Sequence, residues 1–260
     1  MLEYIDSHAH YDAEQFDPDR DELLNRLHSG GVKYIVNMGC NIERSRLSVE
    51  YAERFPFVYA AVGMHPEDVA DAPADYLDSI RKWAVLPKTV AIGEIGLDYH
   101  YEGYDPAVQK HVFEEQLDLA EELSLPVVIH SRDATEDCMN ILRGRGTVRG
   151  VMHCFSGSAE TARQVLALGM NISFTGVLTF KNARKSIEAL EAVPLDRLML
   201  ETDCPYMAPE PNRGKRCDSG MIVHIIDKIA EVKGVTPELV AKQTMENTLR
   251  LFSKITPVSN

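Results

Sequence analysis

Pro126-Val127-Val128-Ile129-His130 is a short apolar run that ends in a histidine. Gly150-Val151-Met152-His153, further along the chain, has the same form. We interpret both as strands, because amphipathic stretches with helical spacing alternate with such runs along the chain. This alternation is typical of β-α-β units and of a parallel sheet.

Eight runs of this kind can be counted. The predicted strands cover residues 4–7, 33–38, 57–63, 89–93, 126–130, 150–155, 171–174 and 197–201. Helical spacing extends over residues 19–27, with Gly30 as the expected cap, and over residues 107–123. A last helix over residues 237–252, with Thr236 as its expected N-cap, is predicted to pack outside the strands. These elements predict an α/β protein, a (β/α)8 TIM barrel of about 250 residues, as a single domain over residues 1–260.

The composition is that of an ordinary globular protein, with 45% hydrophobic and 26% charged residues. No apolar run approaches the ~20 residues of a membrane-spanning helix. The acidic start Met1-Leu2-Glu3-Tyr4-Ile5-Asp6 does not resemble a signal peptide. We therefore expect a cytoplasmic protein that has no membrane partner and no obligate protein partner. The five cysteines are scattered, so no disulfide framework is expected.

The formal net charge of −13 disfavours binding of nucleic acid by the whole surface. Any substrate that carries phosphate must therefore be held by local cations. The loop that follows the eighth predicted strand, residues 203–220, offers Arg213-Gly214-Lys215-Arg216. We predict a phosphate clamp there, and the alternative is a solvated basic turn.

Two histidines lie close together in Asp6-Ser7-His8-Ala9-His10, at the end of the first strand. Side chains two residues apart on a strand point to the same face, so His8 and His10 can reach one metal ion. Glu94 interrupts the apolar end of the fourth strand between two glycines. A buried carboxylate is costly unless it is paired or binds a metal, so Glu94 is either a ligand or the partner of a nearby cation. Asp98 is expected to be a loop residue or to orient a ligand.

His130 and His153 end the fifth and sixth strands, and Asp203 follows the eighth. A single such histidine is more often a hydrogen-bonded core residue, but the carboxyl ends of all barrel strands meet at one face, where active sites of this fold lie. Four imidazoles and two carboxylates at this face suggest two neighbouring divalent ions. Zn²⁺, Mn²⁺ and Mg²⁺ all fit these ligands.

Other residues near this face have weaker patterns. His65 is predicted as a substrate contact, with a turn histidine fixed by Pro66 as the alternative. Arg132 and Asp133 follow the His130 ligand and are expected to orient the substrate or the ligands. Cys154 and Cys204 are interpreted as packing residues. Surface positions are expected for His28, His100, His111 and His224.

Together these motifs resemble those of the TatD family of metal-dependent deoxyribonucleases, within the amidohydrolase-like barrels, over almost the entire chain. The segments that carry the resemblance are Asp6-Ser7-His8-Ala9-His10, Val62-Gly63-Met64-His65-Pro66, Gly93-Glu94-Ile95-Gly96-Leu97-Asp98-Tyr99, His130-Ser131-Arg132-Asp133-Ala134, His153-Cys154-Phe155-Ser156-Gly157 and Glu201-Thr202-Asp203-Cys204-Pro205-Tyr206. Within the family, the chain is most similar to the bacterial branch of uncharacterised hydrolases.

The resemblance implies a ligand set. His8, His10, Glu94 and Asp203 would hold one ion, and Glu94, His130 and His153 the other, with Glu94 shared. It also implies DNA as substrate, attacked from a single-stranded 3′ end. The chain departs from the family after Arg216, where Cys217-Asp218-Ser219 replaces the usual Asn-Glu-Pro.

Our leading hypothesis is hydrolysis of a phosphodiester by a water that the metals activate. Glu94 and Asp203 are the predicted catalytic residues, and Asp203 would accept the proton of the water. A second hypothesis is a carbonyl hydrolase with the same site, either a D-aminoacyl-tRNA deacylase or a small-molecule amidohydrolase. A third is a barrel that binds metal or a partner without catalysis.

Overall fold

The structure, a computed structural model, describes residues 2–256. Its strands are β1 (Tyr4–Ala9), β2 (Val32–Met38), β3 (Val58–Val62), β4 (Thr89–Asp98), β5 (Val127–Arg132), β6 (Gly150–Met152), β7 (Asn171–Phe174) and β8 (Leu198–Leu200). Its α-helices are α1 (Arg20–Ser29), α2 (Ile42–Arg54), α3 (Tyr76–Ala84), α4 (Pro106–Glu122), α5 (Thr135–Gly144), α6 (Ala159–Ala167), α7 (Arg184–Ala192), α8 (Ile222–Lys233) and α9 (Pro237–Leu251). Short 3-10 helices cover Glu14–Phe16, Val69–Asp71, Gly176–Thr179, Leu195–Arg197 and Ser219–Met221.

The strands form one sheet in the order of the chain, from β1 to β8. The pairs β1–β2, β3–β4, β4–β5, β5–β6 and β7–β8 run parallel. Ala9, at the end of β1, also forms a parallel bridge with Cys204, which follows β8. Because the last strand returns to the first, the sheet closes, and the predicted (β/α)8 barrel is confirmed.

All eight predicted strands are present, with shifts at their ends. β4 continues to Asp98 and β5 to Arg132, beyond the predicted limits, whereas β6 and β8 are shorter than predicted. The cap of α1 is Gly30, as predicted. The Thr236 hydroxyl accepts a hydrogen bond from the main-chain N–H of Leu239, which confirms the predicted start of α9. All five cysteines lie within residues 2–256, and none of them forms a disulfide bond there.

By its contacts the chain divides into two compact units. The first covers residues 2–37, 154–167 and 171–248. In it, α8 buries Ile222, Ile225, Ile226 and Ile229, which recur at helical spacing. The side-chain amide of Asn247 on α9 donates to the carbonyl oxygens of Leu195 and Leu198. This contact anchors α9 at the start of β8.

The second unit covers residues 38–153, 168–170 and 249–256. Every residue of β3 and β4 in it is buried, including the carboxylates of Glu94 and Asp98. Two buried glutamines of α4 hold the ends of these strands. Gln109 accepts from the N–H of Asp98 and donates to its carbonyl oxygen, and Gln116 does the same at Met64. These amides replace a neighbouring strand as the partner of the main chain, so the residues around them are fixed.

Within residues 2–256, we find no helix that is both long and apolar enough to cross a membrane.

Candidate metal centre

The first ligand group consists of His8, His10 and Asp203. The Nε2 atoms of the two histidines are 3.1 Å apart. Oδ1 of Asp203 lies 3.4 Å from Nε2 of His8 and 3.2 Å from Nε2 of His10. All three residues are buried. The structure thus brings together the three predicted ligands of the ends of β1 and β8.

Asp6 fixes the main chain that carries this group. Its fully buried carboxylate accepts hydrogen bonds from the N–H and the hydroxyl of Thr202, at 3.0 and 2.6 Å, and from the hydroxyl of Ser219, at 2.6 Å. Burial raises the pKa of Asp6 to about 7, although these hydrogen bonds lower it. The N–H of Asp203 in turn donates to the carbonyl oxygen of His8 at 3.0 Å. His8 and Asp203 are therefore held together by the strands as well as by their side chains.

Two carboxylates follow β8, and they face different surroundings. Asp203 has a positive φ of 58°, which an aspartate tolerates better than most residues, and this turn directs its side chain to His8 and His10. Glu201 accepts hydrogen bonds from the N–H of Cys154 at 2.6 Å and from the hydroxyl of Ser173 at 2.7 Å. Glu201 thus supports the chain beside β7, a role that the sequence pattern did not reveal.

The second ligand group consists of Glu94, His130 and His153. Oε1 of Glu94 lies 2.9 Å from Nδ1 of His130 and 2.7 Å from Nε2 of His153. The two histidine nitrogens are 3.3 Å apart. In these contacts the carboxylate of Glu94 is paired with imidazole groups.

Asp98 orients His130 from the other side of the imidazole ring. Nε2 of His130 lies 3.0 Å from Oδ2 of Asp98, and the carboxylate also accepts the N–H of His100 at 2.8 Å. Burial raises the pKa of Asp98, but these hydrogen bonds and the charge of His130 lower it more, so the pKa is below its ordinary value. Burial lowers the pKa of His130, but its contacts with Asp98 and Glu94 raise it above the ordinary value. A proton on Nε2 leaves the lone pair of Nδ1 for a metal.

Gly96 allows the close approach of β4 and β5 on which this orientation depends. It pairs with His130, and its φ is 146°. A Cβ atom at this position would lie 1.9 Å from the carbonyl oxygen of His130. Only glycine therefore fits between Glu94 and Asp98 at this point.

His65 lies beside the second group, with Nε2 3.5 Å from Oε1 of Glu94 and its ring 4.4 Å from that of His130. With those two residues it has the spacing of a metal site. However, Nδ1 of His65 accepts the N–H of Glu67 at 3.2 Å, so the ring proton is on Nε2. Because a protonated nitrogen cannot bind a metal, we assign His65 as a hydrogen-bond donor at this site.

The donor atoms of both groups are spaced nearly as the ligands of a bound ion are. Ligand atoms at about 2.0–2.2 Å from one ion are roughly 3.3–3.6 Å apart. The separations are 3.1, 3.2 and 3.4 Å in the first group and 2.7, 2.9 and 3.3 Å in the second. Imidazole nitrogen mixed with carboxylate oxygen suits a divalent cation. Small adjustments would therefore let each group hold such an ion.

The basic loop, Arg213-Gly214-Lys215-Arg216, contains two exposed cations and one cation that is paired with a carboxylate. Arg213 is exposed, with its guanidinium 4.3 Å from the centre of the Phe180 ring. Lys215 is also exposed and donates to Asn212. Arg216 forms two hydrogen bonds of 2.7 Å with the carboxylate of Asp19.

Since both terminal nitrogens of Arg216 are paired, we assign it to the support of the loop rather than to the predicted phosphate clamp. It also lies over the ring of Phe16, 4.8 Å from its centre. In the second unit, Arg132 ends β5, and its guanidinium contacts Tyr101.

Comparisons with known proteins identify the family to which the chain belongs. The family model described as TatD related DNase matches residues 5–253. A Bacillus subtilis protein named "Uncharacterized metal-dependent hydrolase YabD" is 44% identical over 250 residues, which are 95% of this chain and 98% of that protein. The "3'-5' ssDNA/RNA exonuclease TatD" of Cronobacter sakazakii is 35% identical over 250 residues, 93% of this chain and 95% of that one.

A solved structure, that of the TatD homologue YJJV from Escherichia coli K12, is similar with a TM-score of 0.91 and 30% identity. The similarity covers 96% of this chain and 98% of that one. The match to the family model extends over nearly all of the chain. The chain therefore belongs to the family of TatD-related DNases and is a metal-dependent hydrolase.

Proposed function

We propose that this protein is a two-metal phosphodiesterase that removes nucleotides from the 3′ end of single-stranded DNA. The observation that carries the proposal is the presence of two groups of nitrogen and oxygen donors, each of which needs only small adjustments to surround a divalent ion. The nucleic-acid substrate is supported by the relative from Cronobacter sakazakii, whose name gives single-stranded DNA or RNA.

In this proposal His8, His10 and Asp203 hold one ion, and His130 and His153 hold the other. The family resemblance implies that Glu94 would contribute to the binding of both. Two divalent ions would supply a water of lowered pKa and positive charge beside the phosphate. Mg²⁺, Mn²⁺ and Zn²⁺ all suit these donors.

The side chains then have separate tasks. The carboxylate of Asp203 accepts the proton of the attacking water. Nε2–H of His65 donates to a phosphate oxygen, a role that fits the proton assigned to this nitrogen. Arg132, Arg213 and Lys215 are the cations proposed to hold the DNA backbone, because they are partly or fully exposed.

The test uses protein stripped of metal and then supplied with Mg²⁺, Mn²⁺ or Zn²⁺. Single-stranded DNA labelled at either end reports cleavage and its direction. We expect the 5′-labelled strand to shorten one nucleotide at a time, and Glu94→Gln to lose this activity. Glu238→Gln, at an exposed glutamate of α9, is the matched control and retains it.

Two results would contradict the proposal. One is cleavage without any divalent metal, and the other is hydrolysis of ester or amide substrates with no cleavage of DNA under any of the three metals.

A further inference from the structure

The loop that follows β4 presents aromatic side chains to solvent. It contains Tyr99-His100-Tyr101-Glu102-Gly103-Tyr104. Tyr101 is 54% exposed and Tyr104 is 40% exposed. Large aromatic residues are usually buried, since each can remove about 150–250 Å² of surface from water. Several of them together on a surface loop indicate a binding site.

This aromatic loop, residues 99–104, is tied to the second ligand group. The N–H of Tyr99 donates to the carbonyl oxygen of Arg132 at 2.9 Å. The N–H of His100 donates to Asp98, whose other carboxylate oxygen contacts His130. The first residues of the loop are therefore placed by the same hydrogen bonds that orient a proposed metal ligand.

Two contacts brace the loop internally. The rings of Tyr99 and Tyr104 stack with their centres 4.7 Å apart and their planes at 5°. The hydroxyl of Tyr99 donates to Asp137 on α5 at 2.9 Å. Because these contacts order the loop, its aromatic side chains are positioned before any ligand binds, which lowers the entropic cost of binding.

Tyr101 and Arg132 form a pair at the edge of this loop. The guanidinium carbon of Arg132 is 5.1 Å from the centre of the Tyr101 ring, and Nη1 donates to the tyrosine hydroxyl at 3.3 Å. His100 contacts the same ring edge to face, with centres 5.0 Å apart. Arg132 lies two residues after His130 on β5. A cation thus lies over one face of an exposed aromatic ring, close to a proposed metal ligand, and a base would stack on the other face.

We infer that Tyr101 and Arg132 recognise the 3′-terminal nucleotide of single-stranded nucleic acid, with its base stacked on Tyr101 and its phosphate paired with Arg132. This inference rests on the function proposed above. An aromatic ring beside a cation is the arrangement by which proteins hold single strands, because every base has a face that stacks. A chain with a net charge of −13 needs such local recognition.

The inference predicts that the base itself contributes to affinity through Tyr101. The test measures binding of two fluorescent oligonucleotides by anisotropy in the presence of Mg²⁺, which binds sulfur poorly. Both have a phosphorothioate at the last linkage to block cleavage, and one lacks the 3′-terminal base. For the wild-type protein, we expect removal of the base to weaken binding about 5- to 150-fold, the range for one stacked base.

Tyr101→Ala should weaken binding of the complete oligonucleotide by the same factor, and it should bind both oligonucleotides equally. Tyr101→Phe should restore most of the affinity and the preference for the base, since the ring is kept. Val85→Ala is the control, because Val85 is also exposed but precedes β4 instead of following it. It should bind like the wild-type protein.

The inference is overturned if Tyr101→Ala binds both oligonucleotides as the wild-type protein does, or weakens both equally. Cleavage of unmodified DNA by the wild-type protein is measured separately. If it is observed, the proposed function stands although the inference fails. If the wild-type protein neither binds nor cleaves single-stranded DNA, the proposed function and the inference both fail.

Discussion

Nε2 of His130 and Oδ2 of Asp98 are 3.0 Å apart, on neighbouring strands of the second unit. This contact holds the His130 proton on the nitrogen that faces Asp98 and turns the other nitrogen to Glu94. We predict that Asp98→Asn lowers affinity for the ion of the second ligand group about 10- to 100-fold, as loss of such a partner usually does. Titration against a chromophoric chelator measures it.

The control for this variant is Asp78→Asn, at an exposed position of α3, which should keep the wild-type affinity. Equal metal affinity of the Asp98→Asn and wild-type proteins would show that Asp98 does not orient a ligand.

His65 is predicted to contact the substrate and not the metal. His65→Ala should therefore bind as many ions as the wild-type protein but lose about 100-fold in kcat/KM on single-stranded DNA, the loss typical of a missing donor to a developing charge. Metal content by mass spectrometry and steady-state kinetics check the two parts. A variant that binds one ion fewer would make His65 a ligand.

Gly96→Ala should destabilise the protein by about 3 kcal/mol, from a strained φ combined with the clash of the new Cβ with His130. Gly103→Ala is the matched comparison, because Gly103 also has a positive φ but a Cβ atom there would have no other atom within 4 Å. It should cost only about 1 kcal/mol. Urea denaturation measures the free energy of unfolding of both variants. Equal losses of stability would show that the close approach of β4 and β5 is not what requires glycine at position 96.

Asp6 makes stability depend on pH. Its pKa is about 7 in the folded chain against an ordinary value of 3.8, so the folded state binds more protons between these pH values. Protonated Asp6 therefore contributes to the free energy of unfolding below about pH 4, and this contribution is lost as the pH rises through about 7. The total loss is on the order of 4 kcal/mol. Urea unfolding in a chelator, at several pH values, compares the wild-type protein with Asp6→Asn.

The free energy of unfolding of the wild-type protein, minus that of Asp6→Asn, should fall across this window. Histidines and other carboxylates contribute equally to both proteins and cancel in the difference. A constant difference would mean that Asp6 is ionised throughout.

The two kinds of cation in the basic loop should respond differently to substitution. Arg213→Ala with Lys215→Ala should leave stability unchanged and reduce the salt dependence of DNA binding, with the slope of log K against log salt changing by about 1.4. Arg216→Ala should instead lower the free energy of unfolding by roughly 1 kcal/mol, because its ion pair with Asp19 is partly exposed. If Arg216→Ala alone changed the salt dependence of DNA binding strongly, Arg216 would be part of the phosphate clamp after all.

The strands could be predicted because each contains a short apolar run that is typical of a buried strand. The predicted end of each strand is the point at which its apolar run stops. The prediction stopped β4 at Gly93, where the carboxylate of Glu94 breaks the run. In the structure the strand continues to Asp98, because His130 and His153 provide partners that make the buried carboxylates acceptable. A sequence pattern cannot show that compensation, since the partners lie on other strands.

The proposed ligands were predicted from their positions at strand ends, and the structure brings His8, His10 and Asp203 together in one unit and Glu94, His130 and His153 in the other. The residues that support these side chains could not be predicted from the sequence. Gln109 and Gln116 are ordinary polar residues of a helix in the sequence, and only the packed structure gives them the main chain of β4 and of Met64 as partners. The ion pair of Arg216 joins residues 197 positions apart. His100 was expected at the surface and is exposed, but its N–H also holds Asp98.

The measurement that tests the central claim most directly is the rate of single-stranded DNA hydrolysis as Mn²⁺ is added, in counted equivalents, to metal-stripped protein. If two ions act together, the rate should stay low up to one equivalent per chain and rise to its maximum at two. A maximum at one equivalent, or a rate that does not depend on the metal, would contradict the two-metal account.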